Sequence, residues 1–247
     1  MTLVTGTCAC GAECERELAE GRYAETFNRR PFICADCDAE RSAQWAAERE
    51  ERDSRELRRL IAEKLTRLPV LHSRLHLDEL DTAGRERALD AARRLIAGEI
   101  HGLTLIGSIG TGKTQIAAST VRAMIERDPE QPAPRWVSVT TVLSDLGRAF
   151  NDPRRQQAVD ALSSDRVGLV LDDLDKSKPT AHAASEIFNA IDLATTHERQ
   201  LIVTTNLMPS QLRTKWPAPY GEAIASRLGY CELHKITGHD RRLSEAA

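Results

Sequence analysis

Hydrophobic positions change their rhythm along this chain, and each rhythm predicts a different element. Residues 41–66 are dense in charge of both signs and contain no Gly or Pro, while Leu57, Leu60, Ile61, Leu65 and Leu68 recur at three- and four-residue steps. That period predicts an amphipathic helix over the latter half of the stretch, ended by Pro69. Such a helix serves either as a solvated linker laced with i,i+4 ion pairs or as a docking face for a partner. From Val70 the chain reads as globular. Leu75, Leu77 and Leu80 lead in, and Ala88, Leu89, Ala92, Leu95 and Ile96 mark a helix with one apolar side. Three continuous apolar runs follow, at 103–106, 167–171 and 201–203, as expected of strands buried on both faces. Between and after them lie helical patterns: Ile116, Ala117, Val121, Met124 and Ile125 share one face, and Ala184, Ile187, Phe188, Ile191 and Ala194 another. Shorter elements are expected at 136–139 (strand), 141–150 (helix) and 209–216 and 221–228 (helices), with a polar stretch over 151–157, a short helix reaching Leu162, and a last strand at 230–234. Strands alternating with helices over 100–210 predict an α/β fold, a parallel sheet covered by helices on both faces.

Composition narrows this picture. The 247 residues suit one large domain with a small appendage, and 41% hydrophobic residues suffice for a core that aliphatic side chains must fill, since aromatics are only 4%. Charged residues make up 29%, yet the formal net charge is −3, so any nucleic-acid contact comes from a local groove and not from a globally basic surface. No apolar run approaches a membrane span and no signal-like block opens the chain, so no membrane partner and a cytoplasmic location are expected.

The apolar run at 103–106 enters Gly107-Ser108-Ile109-Gly110-Thr111-Gly112-Lys113-Thr114, which is Gly-x-x-x-x-Gly-Lys-Thr between a strand and a helix. That context is what a phosphate-binding loop requires. Gly107 and Gly112 let the backbone curl and aim its N–H groups at phosphate oxygens, and the following helix adds the positive end of its dipole. Lys113 is then the residue for the β- and γ-phosphates of ATP, and the Thr114 hydroxyl a ligand to Mg²⁺. The run at 167–171 ends in Asp172 and Asp173. Ligands sit at the carboxyl ends of parallel strands, so Asp172 is placed to hold the Mg²⁺ shell and Asp173 to orient or deprotonate an attacking water. Asn206 ends the run that starts at Leu201 and is placed to contact the γ-phosphate or that water, although by itself it reads as an ordinary strand-end turn residue.

Five of the six cysteines lie between Cys8 and Cys37, in Cys8-Ala9-Cys10-Gly11-Ala12-Glu13-Cys14 and Cys34-Ala35-Asp36-Cys37. Crowded thiols in a cytoplasmic protein point to metal before disulfides. Cys8, Cys10, Cys34 and Cys37 are the expected ligands of a closed, tetrahedral Zn²⁺ site, with Cys14 able to replace Cys8 or Cys10 because the first pair departs from the usual two-residue gap. A redox Cys-x-x-Cys is the alternative for the second pair, but no thioredoxin-like strand and helix surround it. A segment this short gains its missing folding energy from a metal. Cys231 stands alone and reads as a small buried hydrophobe. The expected divisions are a zinc-binding module at 1–40, a helical linker or partner-binding helix at 41–68, and an ATPase domain at 69–247.

In their order, the phosphate loop, Leu169-Val170-Leu171-Asp172-Asp173-Leu174, Val203-Thr204-Thr205-Asn206-Leu207, Ile224-Ala225-Ser226-Arg227-Leu228 and Gly238-His239-Asp240-Arg241-Arg242 resemble the DnaC/IstB branch of the AAA+ ATPases over residues 68–242. The resemblance implies that Asn206 is a sensor between the acids and the γ-phosphate. It implies that Arg227 is an arginine finger supplied to a neighbouring subunit. Arg242, with Arg241 as the other register, then acts as a second sensor within its own subunit. Many AAA+ enzymes have Glu at the position of Asp173, so slow turnover is expected, as suits a switch. An N-terminal cysteine cluster and charged helix is similar to the arrangement of phage and prophage loaders of the DnaC type. These use ATP to place the hexameric replicative helicase on single-stranded DNA, assembling as an AAA+ oligomer. On this reading the zinc module and helix grip the helicase, and residues 140–155 contact DNA. The alternatives are a transposition helper of the IstB type acting on duplex DNA, and a nucleotide-gated adaptor that scarcely hydrolyses ATP.

Overall fold

The computed structural model describes residues 2–21, 24–148, 151–163, 168–176, 178–238 and 240. The chain divides into two units, residues 1–58 and 59–247, and the boundary falls inside a long helix.

The first unit opens with an antiparallel hairpin, β1 (Leu3–Thr7) and β2 (Glu13–Glu17), followed by the short helix α1 (Ala24–Asn28) and then α2 (Ala35–Leu65), which continues into the second unit. The hairpin alternates exposed and half-buried residues with almost no apolar stripe, so its pattern carries no strand signal in the sequence. Three contacts join it to the segment ahead of α2. The Arg16 guanidinium donates to the Asn28 and Arg30 carbonyls (2.8 Å each), it stacks over the Phe32 ring, and that ring lies where a Cβ on Gly6 would stand. Helix α2 starts six residues earlier than the charged stretch that predicted it, taking Cys37 into its first turn, and it has no buried residue.

In the second unit five strands form one all-parallel sheet: β3 (Gly102–Gly107), β4 (Arg135–Ser138), β5 (Leu169–Asp172), β6 (Leu201–Thr205) and β7 (Glu232–Ile236), in the order β4-β5-β6-β3-β7. Strands β3, β5 and β6 are buried along their whole length, and their side chains alternate between two layers. On one face Leu103, Leu105, Val170 and Ile202 meet α3 (Glu86–Ala97) and α4 (Lys113–Arg127) through Leu89, Leu95, Ile116 and Ile125. On the other, Leu169, Leu171, Leu201 and Val203 meet α5 (Val139–Leu146), α6 (Pro153–Leu162), α7 (Ala181–Thr196), α8 (Pro209–Lys215) and α9 (Tyr220–Leu228). Each fully buried Leu, Ile or Val contributes about 1.5–3 kcal/mol of apolar burial, so the two layers clamp the sheet from both sides. This is the expected α/β architecture, a parallel sheet flanked by helices and carrying a phosphate loop, with a small cysteine-bearing segment ahead of it.

Several boundaries differ from the pattern, among them that of α5, which starts at Val139. Helix α6 begins at Pro153, because Asp152 caps it by accepting from the Arg154 N–H, so the polar stretch is mostly helical. Strand β7 starts at Glu232, two residues later than the apolar run suggests, and Tyr230 is left 75% exposed. Residue Val167 lies outside the described residues, so β5 is described from Leu169. Among the described residues no helix is long and apolar enough to cross a membrane.

Candidate functional site

Because β3, β5 and β6 run parallel, their carboxyl ends open on one edge of the sheet, and the polar residues that follow each strand meet there. The loop after β3 reaches α4 through Gly110 and Gly112, both at positive φ (77° and 94°). Gly107 is required for a second reason: a Cβ there would stand 2.5 Å from the Ile236 carbonyl oxygen of neighbouring β7. Gly112 caps α4 without a side chain, leaving the helix's first N–H groups to a ligand. Ile109, at the tip of the loop, is 60% exposed.

The Lys113 ammonium lies inside this loop, only 6% exposed. It donates to the Gly107 and Ser108 carbonyls and to Asn206 Oδ1, each at 2.8 Å. Burial draws its pKa below the ordinary lysine value, and the carboxylates of Asp173 and Asp175 offset part of that. The Thr114 hydroxyl donates to Asp172 Oδ1 at 3.0 Å, and the Thr204 hydroxyl donates to the same oxygen at 2.6 Å. Asp172 is buried, which pushes its carboxyl above the ordinary range. The two hydroxyls pull it back and the neighbouring Asp173 carboxylate pushes it further up. Asp173 follows at φ 61°, its N–H donating to Thr204 Oγ1 (2.8 Å) and its carboxylate paired with Lys176.

One group here has no counterpart in the sequence reading. Asp175, 5% exposed, accepts from the Asn206 N–H (2.7 Å) and the Thr205 hydroxyl (3.0 Å) on Oδ1, and from Asn206 Nδ2 (3.0 Å) on Oδ2. Burial alone would raise its carboxyl, but these three donors hold it below the usual carboxylate range. Thr204 was likewise missed as a partner of both acids. Alternation along β6 was the available signal, since it sends Thr204 and Asn206 to the same side.

The residues brought together, an ammonium enclosed by a glycine loop with a hydroxyl and a carboxylate in contact, fit a nucleotide polyphosphate and Mg²⁺. Thr114 and Asp172 would hold the ion. Arg227, in the last turn of α9, pairs instead with Asp192 of α7 and is about one-third exposed. Arg241 and Arg242 lie outside the described residues. Of the basic residues expected against DNA, Arg148 bonds Asp145 at 2.9 Å, and Arg155 donates to the Leu146 carbonyl at 2.9 Å.

The sulfurs of Cys8, Cys10, Cys34 and Cys37 form a second cluster, all within 4.8 Å of one another. Four thiolates around tetrahedral zinc, with Zn–S near 2.3 Å, place their sulfurs about 3.8 Å apart, so this set fits the ion. Cys10 and Cys34, 3.5 Å apart, are far beyond disulfide length. The hairpin turn presents Cys8 and Cys10, with the Gly11 N–H donating to the Cys8 carbonyl, and the start of α2 presents Cys34 and Cys37. The Cys8 thiol is lowered to about 6, first by hydrogen bonding from the Cys10 backbone. A backbone hydrogen bond at Ala12 pulls Cys10 down, but the Cys34 and Cys8 thiols leave it raised overall, and Cys37 is raised by the Cys10, Cys34 and Cys8 thiols around it. Cys14 is outside the cluster and donates to the Ala12 carbonyl. Cys231 is buried, and burial pushes it up to about 11.

No protein-family model and no curated protein matches this chain. Solved structures do. DnaI aligns with TM-score 0.60 and 24% identity over 71% of this chain and 94% of its own. The DnaC helicase loader gives 0.53 and 23% over 68% and 100%. The replication initiator DnaA bound to AMPPCP and single-stranded DNA gives 0.55 and 18% over 72% and 56%. The chain therefore shares its fold with DnaI, the DnaC helicase loader and DnaA.

Two outcomes follow from the geometry. Asn at 172 can still accept both hydroxyls through its Oδ1, without the buried charge. A native carboxyl pKa raised above the unfolded value means stability present below the unfolded pKa and lost as pH rises through the native one. Asp172→Asn should therefore raise the Tm of nucleotide-free protein at neutral pH, the gain vanishing in acid below the ordinary carboxylate range, while Mg²⁺-dependent nucleotide affinity is lost. A neutral-pH Tm equal to or below wild type contradicts this. For the cysteines, Zn²⁺ titration followed by a metallochromic competitor should give one ion per chain. Cys34→Ser should lower the affinity by orders of magnitude, and Cys14→Ser should leave it unchanged.

Proposed function

We propose that this chain is an ATP-dependent loader of the hexameric replicative helicase onto single-stranded DNA, acting in the cytoplasm as a self-assembled AAA+ oligomer. The observation that carries the ATPase reading is the meeting of Lys113, Thr114, Asp172, Asp173 and Asn206 at the carboxyl edge of one parallel sheet. The fold shared with the DnaC helicase loader, and with DnaA bound to AMPPCP and single-stranded DNA, supports the replication role.

In this reading the loop N–H groups and the N-terminus of α4 bind the phosphates, and Lys113 turns from the loop carbonyls to the β- and γ-phosphate oxygens. Thr114 and Asp172 hold Mg²⁺, which neutralises charge on the phosphates when bound. Asp173 accepts a proton from the attacking water, and Asn206 orients that water or the γ-phosphate. Asp173 must first release Lys176 to reach the water, which accords with slow turnover. Arg227 leaves Asp192 to reach the nucleotide of a neighbouring subunit, where its fork of donors stabilises charge on the transferred group. Arg242 acts as the second sensor within its own subunit. The cysteine module, residues 1–40, holds Zn²⁺, and together with residues 41–68 it grips the helicase. Residues 140–155 lie against the DNA strand, by backbone contacts and limited stacking.

Full-length protein used as bait in a lysate of its native cell, with ATP and separately with ADP, should recover the replicative helicase preferentially with ATP. Recovery of a transposase, or of duplex DNA alone, would move the chain to the transposition-helper class. Arg227→Ala should leave the Kd for ATP within about twofold, while hydrolysis by the assembled protein falls on the order of 10³-fold or more. Weak ATP binding with normal turnover of what is bound would remove the finger assignment.

A further inference from the structure

We propose that Asp175 is the positioning residue that sets which way the Asn206 amide faces, and through it the response of the site to the terminal phosphate. This deepens the ATPase reading above and rests on it.

Donor and acceptor chemistry fixes the Asn206 amide. An ionised carboxylate can only accept, and an ammonium can only donate. Asn206 lies between one of each: Asp175 Oδ2 on one side at 3.0 Å and Lys113 Nζ on the other at 2.8 Å. Its nitrogen must therefore face Asp175 and its oxygen must face Lys113, so the amide has a single allowed orientation. One of the two Nδ2 hydrogens is used on Asp175, and the second is left to donate to a phosphate oxygen. When Lys113 turns to the phosphates, Oδ1 is released to accept from the attacking water.

Asp175 is itself fixed. Its Oδ1 holds the Asn206 N–H and the Thr205 hydroxyl at the end of β6, and its carbonyl accepts from the Lys215 ammonium in the last turn of α8. The carboxylate is buried and reaches the nucleotide site through Asn206, so its influence on hydrolysis is transmitted by that amide.

Substitution by asparagine separates this role from mere packing. Asp175→Asn keeps size and shape, and its oxygen can keep the bonds from the Asn206 N–H and Thr205. It replaces Oδ2 by an NH₂ group that confronts the NH₂ of Asn206. Turning the Asn206 amide over relieves that conflict but points its NH₂ at the Lys113 ammonium, so one donor–donor conflict persists in either orientation.

The test uses full-length protein, with MgATP hydrolysis for kcat and equilibrium binding of a fluorescent ATP analogue for Kd, in Asp175→Asn, Asn206→Ala and the double variant. Asp175→Asn should lose about 10- to 100-fold in kcat, the usual scale for removing an orienting partner, while Kd changes by less than about threefold. The double variant should hydrolyse no more slowly than Asn206→Ala alone, because Asp175 acts through that side chain. Asp175→Ala, which removes the acceptor without adding a donor, carries the same expectations if the Asn variant folds poorly. Unchanged kcat, losses that multiply in the double variant, or a Kd that weakens as much as kcat falls would each overturn the assignment. If wild-type protein binds ATP without hydrolysing it, the ATPase reading fails and Asp175 is judged on discrimination instead. The ratio of ADP to ATP Kd should then collapse towards one in Asp175→Asn, and an unchanged ratio would overturn the inference.

Discussion

The second unit depends on a buried ammonium. Lys113 is almost fully enclosed, and an ammonium taken out of water must have its hydrogens accepted. It uses three acceptors, two carbonyls of its own loop and the amide of Asn206. That demand ties the loop after β3 to the end of β6. The surrounding carboxylates, Asp172, Asp173 and Asp175, keep the charge tolerable, and Lys113 in turn tempers their mutual repulsion. The loop carbonyls are weak competitors for phosphate oxygens, so the resting arrangement is one that a nucleotide can displace.

The first unit solves a different problem. Its strands are short, Leu3-Val4-Thr5-Gly6-Thr7 and Glu13-Cys14-Glu15-Arg16-Glu17, with no buried residue in either, and α2 buries none of its side chains. Apolar burial cannot account for its order. What holds the hairpin to the start of α2 is the Arg16–Phe32–Gly6 contact and the convergence of four thiols. Crowded thiols raise the pKa of some members, so without an ion the cluster resists full ionisation. A cation that takes thiolates relieves that crowding and supplies the folding energy.

Much of the second unit's candidate site was legible because its residues are local in sequence. Lys113 and Thr114 belong to one loop, and Asp172 and Asn206 each end an apolar run, so strand pattern alone brings them to one edge. Spacing pointed to Cys34 and Cys37 but left Cys14 open as a replacement for Cys8 or Cys10, and only the fold brings Cys8, Cys10, Cys34 and Cys37 together without it. Other features depend on contacts between distant residues and leave no such trace. Asp175 sits only three residues past Asp172, yet its role depends on the end of β6, some 30 residues on. The role expected of Arg227 came only from resemblance, and its pairing with Asp192, 35 residues away, has no sequence signature. The hairpin β1–β2 escaped notice because strand alternation needs an apolar face to be visible, and this one has almost none. Strand β7 was misplaced by two residues because Tyr230 and Cys231 look like its start. Its register is set by pairing with β3 from Glu232 onward.

The claim on which the rest stands is that Lys113 holds its loop in readiness for a polyphosphate. A crystal structure of the full chain with Mg²⁺ and AMPPCP tests it most directly. The Lys113 ammonium should have moved off the Gly107 and Ser108 carbonyls onto phosphate oxygens, with the ion held by Thr114 and Asp172 and Asn206 still held by Asp175. Nucleotide bound elsewhere, or a loop unchanged with Lys113 on its own carbonyls at saturating ligand, would contradict it.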